Sequence, residues 1–207
     1  MIDSRKHIVL PTDDIIDIQD SNSKDMYSKI VKLKQEKPTA LRSFLELFSN
    51  LNDSEVKNMY VLPRMCTDDM ILKELQYKVL HKYLPTNDLL YKMKKISTKK
   101  CTFCNMYREN TIHIFYECTH VKQVLFKVQE IICKLDNQPS VFTIKDVILG
   151  FRMHDLSVSN LKINNLILHY KMYIWKCKIL FVQPSYNKLK EYIGSRQLYE
   201  SRVSDYY

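Results

Sequence analysis

The stretch KKCTFCNMYRENTIHIFYECTHVKQVLF, residues 99–126, holds three of the six cysteines and two of the six histidines in this chain of 207 residues. Four of these side chains follow the spacing C-x2-C-x8-H-x4-C: Cys101, Cys104, His113 and Cys118. Two thiolates separated by two residues can reach one ion from a single tight turn, and the loop that follows returns the chain to supply two more ligands. The spacing therefore predicts one zinc ion, held by three sulfurs and one imidazole.

Four such ligands close a tetrahedral site, which makes the predicted zinc structural rather than catalytic. His113 and Cys118 are five residues apart, about 140° around a regular helix, so they can share an ion only if the helix breaks between them. We expect a short helix over residues 111–116, a break just before Cys118, and a new helix capped by Thr119. If the break lies elsewhere, His120 is the rival fourth ligand.

Other possible roles of the cysteines agree less well with the sequence pattern. A thioredoxin-like Cys-x-x-Cys needs a βαβ setting, and no strand pattern surrounds this pair. Zinc deaminases need His-x-Glu before Pro-Cys-x-x-Cys, which is the reverse of the order here. Unrelated core cysteines stay as an alternative, and we expect that role for Cys133 and Cys177, which lie in apolar helical stripes.

Only two glycines, Gly150 and Gly194, occur in the chain. This scarcity argues against a hairpin-rich β fold and against the glycine loops of nucleotide-binding enzymes. Apolar residues recur at three- and four-residue spacings along most of the sequence, and Gly150 is placed to follow the end of a helix. The pattern predicts an all-α fold, an irregular helical bundle with a small zinc-stabilised CCHC insert.

The helical pattern divides the chain into four segments. We expect an acidic, disordered leader, then a pair of helices, then a strongly periodic helix over residues 69–84 that Pro85 ends and that precedes the zinc-binding module, and finally the C-terminal helices. The corresponding residue ranges are 1–25, 26–68, 69–135 and 136–207.

The formal net charge of +9 favours a polyanionic partner. Most of this charge lies in residues 73–100, where eight lysines and two carboxylates give +6. Lysines that engage phosphate release condensed counterions, so we expect salt-sensitive and mostly sequence-independent binding of RNA or DNA. The cations expected to contact phosphate surround the cysteine stretch: Lys92, Lys94, Lys95, Lys99, Lys100 and Arg108. Tyr91 and Tyr107 are expected to stack on unpaired bases.

The N-terminal residues contain no apolar signal-peptide core, and no stretch reaches the roughly 18 apolar residues that a membrane span needs. We therefore expect an intracellular protein, in the nucleus or cytoplasm, that does not contact membranes. In a reducing compartment its cysteines stay unpaired.

The segment LKELQYKVLHKYLPTNDLLYKMKKISTKKCTFCNMYRENTIHIFYEC, residues 72–118, resembles the C-terminal zinc-binding region of reverse transcriptases from LINE-type (non-long-terminal-repeat) retrotransposons. Weaker similarity to the same family extends over most of residues 25–185. The chain departs from the family pattern at Thr119, where the family usually has proline, and at Phe126, where it usually has tryptophan. The residues that match the central motif are Gln76, Tyr77, Leu80, His81, Pro85, Thr86, Asn87, Cys101, Phe103, Cys104, Thr111, His113, Phe115 and Cys118.

The resemblance implies a noncatalytic tail that binds template RNA or target DNA, alone or with the rest of a reverse transcriptase. We expect no enzymatic activity, because neither Asp13-Asp14 nor Asp68-Asp69 has the strand–turn–strand setting of polymerase metal ligands. The alternative is a remnant or domesticated retroelement fragment that acts through protein–protein contacts, with purely structural zinc. Three matched positions without obvious chemistry are expected to brace the preceding helix against the zinc site: Gln76, His81 and Asn87.

Overall fold

The computed structural model describes residues 7–9, 15–17, 22–34, 39–49, 51–136 and 141–204, and it divides into two units, Met1–Pro38 and Thr39–Tyr207. In the first unit, strand β1 (His7–Val9) pairs antiparallel with β2 (Ile15–Asp17), and helix α1 spans Ser23–Lys34. Most of the predicted acidic leader lies outside the described residues. The division into four segments stays a prediction.

The second unit is helical, and the predicted all-α class is confirmed. Its described residues contain no strand, only an isolated β-bridge between Lys100 and Arg108. None of the described helices has the length and apolar character needed to cross a membrane. The elements in chain order are α2 (Thr39–Leu47), α3 (Asp53–Cys66), α4 (Met70–Leu80), α5 (Asn87–Lys92), a π-helical turn (His113–Glu117), α6 (Thr119–Asp136), α7 (Ile144–Ile148), α8 (Val158–Ile179) and α9 (Tyr186–Ser204).

Helix α8 lies at the centre of this unit and packs against α3, α4, α6 and α9. Its buried residues occur around the whole helix rather than on one stripe, as expected for a helix with neighbours on all sides. The Tyr170 hydroxyl donates a 2.8 Å hydrogen bond to the Phe115 carbonyl, which ties the middle of α8 to the π-helical turn. The core is therefore continuous with the segment that carries two of the predicted metal ligands.

Helix α4 leads towards the zinc-binding segment. Asp69 caps its first turn by accepting a 2.8 Å hydrogen bond from the N–H of Ile71, and the predicted apolar stripe is buried up to Leu80. The helix then ends, because Lys82 takes a left-handed conformation with φ 56°. The prediction that this helix extends over residues 69–84 is therefore wrong at its C-terminal end, and Tyr83, which lies within the predicted range, is 65% exposed.

Helix α3 is an element that the sequence pattern did not single out. A capping box begins it, in which the Asn52 side chain accepts from the Glu55 N–H and the Glu55 carboxylate accepts from the Asn52 N–H. Met59, Leu62 and Pro63 are buried against the core. Pro63 near the end of the helix weakens a periodicity-based prediction, because proline normally ends a helix.

Positive φ angles are more frequent than the two glycines suggest. Gly150 has φ 136° just after α7, as expected, and a Cβ there would lie 2.5 Å from Leu62 Cδ2. The number of glycines does not limit such conformations here, because five larger residues in the described part of the chain adopt them. These residues are Lys82, Lys94, Asn105, Arg152 and Phe181.

Candidate metal centre

The first two predicted ligands, Cys101 and Cys104, lie in a tight turn. The N–H of Asn105 donates to the Cys101 carbonyl at 2.9 Å, and Asn105 closes the turn with φ 54°, a conformation that asparagine tolerates. The N–H of Phe103 points at Cys101 Sγ, 3.4 Å away. A backbone donor directed at sulfur stabilises a thiolate, so the turn suits a metal-bound cysteine.

The other two ligands come together through the π-helical turn. The N–H of Cys118 donates to the His113 carbonyl at 2.9 Å, an i→i+5 bond that widens the turn. From His113 onward this turn replaces the regular short helix predicted over residues 111–116. Cys118 then leaves the helix with ψ 130°, so the predicted break exists, but Thr119 is the first residue of α6 rather than its cap.

The four ligand atoms of Cys101, Cys104, His113 and Cys118 all lie within 4.8 Å of one another. The Cys101 and Cys118 sulfurs are 3.9 Å apart, and Cys104 Sγ is 3.5 Å from His113 Nε2. Zn–S bonds of about 2.3 Å and Zn–N bonds of about 2.0 Å at tetrahedral angles require S···S distances of about 3.8 Å and S···N distances of about 3.5 Å. The donor set and its spacing therefore fit one zinc ion.

The surroundings of His113 also suit a ligand. Its side chain is buried, and burial lowers the pKa of His113 despite the opposing charges of Glu117 and Glu109, so the imidazole is neutral at pH 7. With Nε2 facing the cysteines, Nδ1 lies 3.8 Å from Glu117 Oε2. A carboxylate on that side of the ring orients ligand histidines in many zinc sites.

Within the described residues, this is the only cluster of three or more cysteine, histidine or acidic side chains spaced to hold a metal ion. His120, the rival ligand, is exposed on the first turn of α6 and lies outside the cluster. Cys133 and Cys177 lie elsewhere, on α6 and α8.

Comparison with known proteins provides a second, independent indication of a zinc site in this part of the chain. A family model described as zinc-binding in reverse transcriptase matches residues 66–124, a range that contains all four ligands. The match supports a zinc-binding region similar to those associated with reverse transcriptases in this part of the chain. No curated protein and no solved structure matches the chain. The prediction of a single zinc ion as cofactor is confirmed by the family match together with the Cys3His cluster.

A buried carboxylate, Glu109, organises the zinc-binding region between its two pairs of ligands. Glu109 is 0% exposed and accepts hydrogen bonds from the backbone N–H groups of Asn87 at 2.9 Å and Thr102 at 2.7 Å. Lys178 of α8 lies 2.7 Å from it. Burial acts to raise the pKa of Glu109, but these hydrogen bonds outweigh it and the pKa lies below its usual value.

Asn87 completes the same network. Its side-chain amide donates to the Lys100 carbonyl at 2.7 Å, and its Oδ1 accepts from Lys178 at 2.8 Å. Asn87 thus links the start of α5 to the zinc loop, as predicted. The brace prediction is wrong for Gln76, which binds the Ile148 carbonyl and Lys171, and for His81, which packs against tyrosines.

The predicted phosphate-binding cations fall into two groups. Arg108 forms a bidentate ion pair with the buried carboxylate of Asp88, and Lys92 lies 3.1 Å from the same carboxylate. Lys94, Lys95, Lys99 and Lys100 are exposed, and within the described part of the chain no ion pair engages them. The structure therefore separates two cations that have a carboxylate partner from four that have none among the described residues.

The sequence pattern did not identify three residues of this hydrogen-bonded network: Thr102, Glu109 and Lys178. Lys178 follows Lys171 by seven residues, so the two lysines lie on the same side of α8, next to the apolar positions Ile167 and Ile174. A lysine on such a face requires a buried acceptor, and this was the available signal. The sequence does not show which acceptor it finds, because Glu109 lies 69 positions earlier in the chain.

Proposed function

We propose that this chain is a noncatalytic, zinc-stabilised tail of a LINE-type retrotransposon reverse transcriptase, which holds template RNA or target DNA for the polymerase. The family match supports the reverse-transcriptase association. The LINE-type assignment rests on the motif residues around the ligands. A site with four protein ligands leaves no open position on the metal, which supports a structural role. The proposed role places the protein in the nucleus or the cytoplasm.

One observation carries the nucleic-acid part of the proposal. The segment that connects α5 to Cys101 exposes Lys94, Lys95, Lys99 and Lys100 beside a zinc-binding turn. Each lysine carries a charge that no neighbouring carboxylate offsets in the described structure. Several exposed ammonium groups beside a rigid, zinc-bound turn can contact the phosphates of a nucleic acid without making base-specific contacts.

The contribution of Arg108 and Lys92 differs from that of the four free lysines. Asp88 already holds both cations, so a phosphate must compete with a carboxylate for them. We assign Arg108 mainly to the support of the turn that carries the cysteines. We therefore propose that Lys92 contributes little to phosphate binding. The main phosphate contacts are made by Lys94, Lys95, Lys99 and Lys100.

Titration of labelled single-stranded RNA and DNA with the zinc-loaded chain, at two salt concentrations, tests this function. We expect micromolar-range binding that weakens steeply as salt rises, with little dependence on base sequence. No binding at low salt would exclude the proposal.

The second candidate is a retroelement fragment that acts through protein–protein contacts. It is favoured by the exposed apolar residues that follow α8, where Leu180 is 68% and Phe181 84% exposed. Failure of nucleic-acid binding in the same titration, with zinc content and helicity intact, would support this candidate.

A further inference from the structure

Three rings form a contiguous surface at the C-terminal end of α4, which we call the aromatic shelf: Tyr77, His81 and Tyr83. The ring centroids of Tyr77 and His81 are 4.2 Å apart, and those of His81 and Tyr83 are 6.0 Å apart with planes inclined by 24°. Tyr77 is 54% and Tyr83 65% exposed. Each tyrosine therefore presents aromatic surface to solvent on either side of the histidine.

The backbone brings Tyr83 back over the helix. The N–H of Tyr83 donates to the Lys78 carbonyl at 2.8 Å and the N–H of Lys82 donates to the Val79 carbonyl at 3.2 Å, which together form a Schellman motif. Lys82 occupies the left-handed position at which glycine is usual. The reversal places Tyr83 next to His81 instead of further along the chain.

Core packing accounts for the inner side of the shelf, where the rings of His81 and Tyr60 are 5.7 Å apart, but not for the two exposed tyrosines. Val79 and Leu80, between the shelf residues, are buried and fill the interior, while Tyr77 points outward. An aromatic pair four residues apart on a helix contributes only a few tenths of a kcal/mol to helix stability. Contiguous exposed apolar surface is a feature of interaction and ligand-binding sites.

The shelf adjoins positive charge. The Lys82 ammonium lies 5.2 Å from the Phe44 ring centroid, and burial lowers its pKa, opposed by Glu46 and reinforced by Lys92. Lys82 is therefore close enough to Lys92 for their charges to interact. Three carboxylates lie in this region: Glu74 is paired with Lys78 at 2.7 Å, Asp88 is paired with Lys92 at 3.1 Å, and Glu46 offsets part of the charge of Lys82. Further along the chain, the exposed lysines that precede Cys101 add more positive charge.

We propose that the aromatic shelf stacks unpaired bases of a single-stranded nucleic acid whose phosphates pass Lys82 and continue to the exposed lysines that precede Cys101. This inference rests on the proposed function and specifies its ligand as single-stranded. Stacking on aromatic rings tolerates any base, because every base has a π face, and it therefore agrees with sequence-independent binding. A duplex, whose bases are already stacked, gains nothing from the shelf.

The test compares a labelled single-stranded oligonucleotide with an abasic oligomer of equal length, which keeps the phosphates and lacks the bases. The zinc-loaded full chain is titrated with both, as is a Tyr77→Leu/Tyr83→Leu variant. A matched control removes two exposed aromatic rings elsewhere, by Tyr27→Leu and Phe126→Leu. A Tyr77→Phe/Tyr83→Phe variant keeps the rings and removes only the hydroxyls. Circular dichroism checks that each variant is folded.

We expect the wild-type chain to prefer the base-containing strand by about tenfold or more, and the leucine variant to lose that preference. Its affinity for the abasic oligomer and its salt dependence should stay unchanged, and the phenylalanine variant and the control should match the wild type. Equal wild-type affinity for both oligomers, with steep salt dependence, would overturn the shelf proposal while leaving the proposed function intact. No binding of either oligomer at low salt would overturn the proposed function itself.

Discussion

Lys178 Nζ lies 2.7 Å from Glu109 Oε1, and this buried ion pair joins the last turns of α8 to the loop between the two pairs of zinc ligands. Both side chains are almost fully enclosed, and backbone N–H groups supply the remaining hydrogen bonds of the carboxylate. The central helix and the zinc-binding region are therefore coupled through charge as well as through apolar packing.

Removal of one partner of this pair should be strongly destabilising. Glu109→Gln leaves the Lys178 ammonium buried without a counter-charge, at a cost of about 3–5 kcal/mol. The double variant Glu109→Gln/Lys178→Met should recover part of that loss. Urea denaturation of the zinc-loaded protein measures both values.

The matched control for this experiment is Lys127→Met, which breaks an exposed pair with Glu130. It should cost less than about 1 kcal/mol. Equal effects of Glu109→Gln and Lys127→Met would show that the buried pair has no special role.

Lys171 gives the fold a pH dependence at alkaline values. Burial lowers the pKa of Lys171 to about 7, from an ordinary value of 10.5. Between these values the unfolded chain binds more protons at this residue than the folded chain, so this contribution makes the folded state more stable as pH rises. We expect the stability of the wild type, relative to Lys171→Met, to increase from pH 7 to pH 10 in urea denaturation. A difference that is constant over this range would contradict the prediction.

Neutralisation of the free lysines should weaken nucleic-acid binding. In the quadruple variant with alanine at positions 94, 95, 99 and 100, the slope of log affinity against log salt should become shallower by up to about 0.7 for each phosphate of a single strand that a lysine no longer neutralises. The control removes the same charge from exposed lysines on other helices: Lys57, Lys127, Lys134 and Lys162. Similar slopes in the two variants would mean that the binding is not localised to the segment before Cys101.

Lys94 is expected to lower the stability of the fold while it contributes to nucleic-acid binding. It follows α5 with φ 56°, where its N–H donates to the Tyr91 carbonyl, and Lys94→Gly should stabilise the protein by about 1 kcal/mol by relieving the left-handed strain. Lys95→Gly removes the same charge at a position without positive φ and should give no such gain. Thermal unfolding distinguishes the two variants, and equal stabilities would refute the strain argument. Nucleic-acid affinity should fall in both.

Local spacing was sufficient to predict the metal site and most of the helices. The positions of Cys101, Cys104, His113 and Cys118 are constrained by short loops, so the chain itself limits how far apart the ligands can lie. The need for a break before Cys118 followed from helix geometry alone. The π-helical form of the preceding turn did not, because the spacing requires only an interruption of the regular helix, and π-helical turns are rare.

Tertiary pairings and helix ends were not predictable from the pattern. Glu109 and Lys178 meet only after α8 has packed, and no local signal links them. Several helices end at left-handed lysine or phenylalanine residues, where glycine would have marked the boundary. For this reason the end of α4 was predicted too late in the sequence, and the aromatic shelf formed by Tyr83 was not foreseen.

The most direct test of the account is the zinc content of the purified chain, measured by mass spectrometry together with its helicity by circular dichroism. We predict one zinc per wild-type chain, loss of helicity on chelation, one zinc in the exposed-site control His120→Ala, and well under one zinc in His113→Ala. A wild-type chain with well under one zinc, or chelation without loss of helicity, would contradict the central claim that zinc at these four ligands holds the fold together.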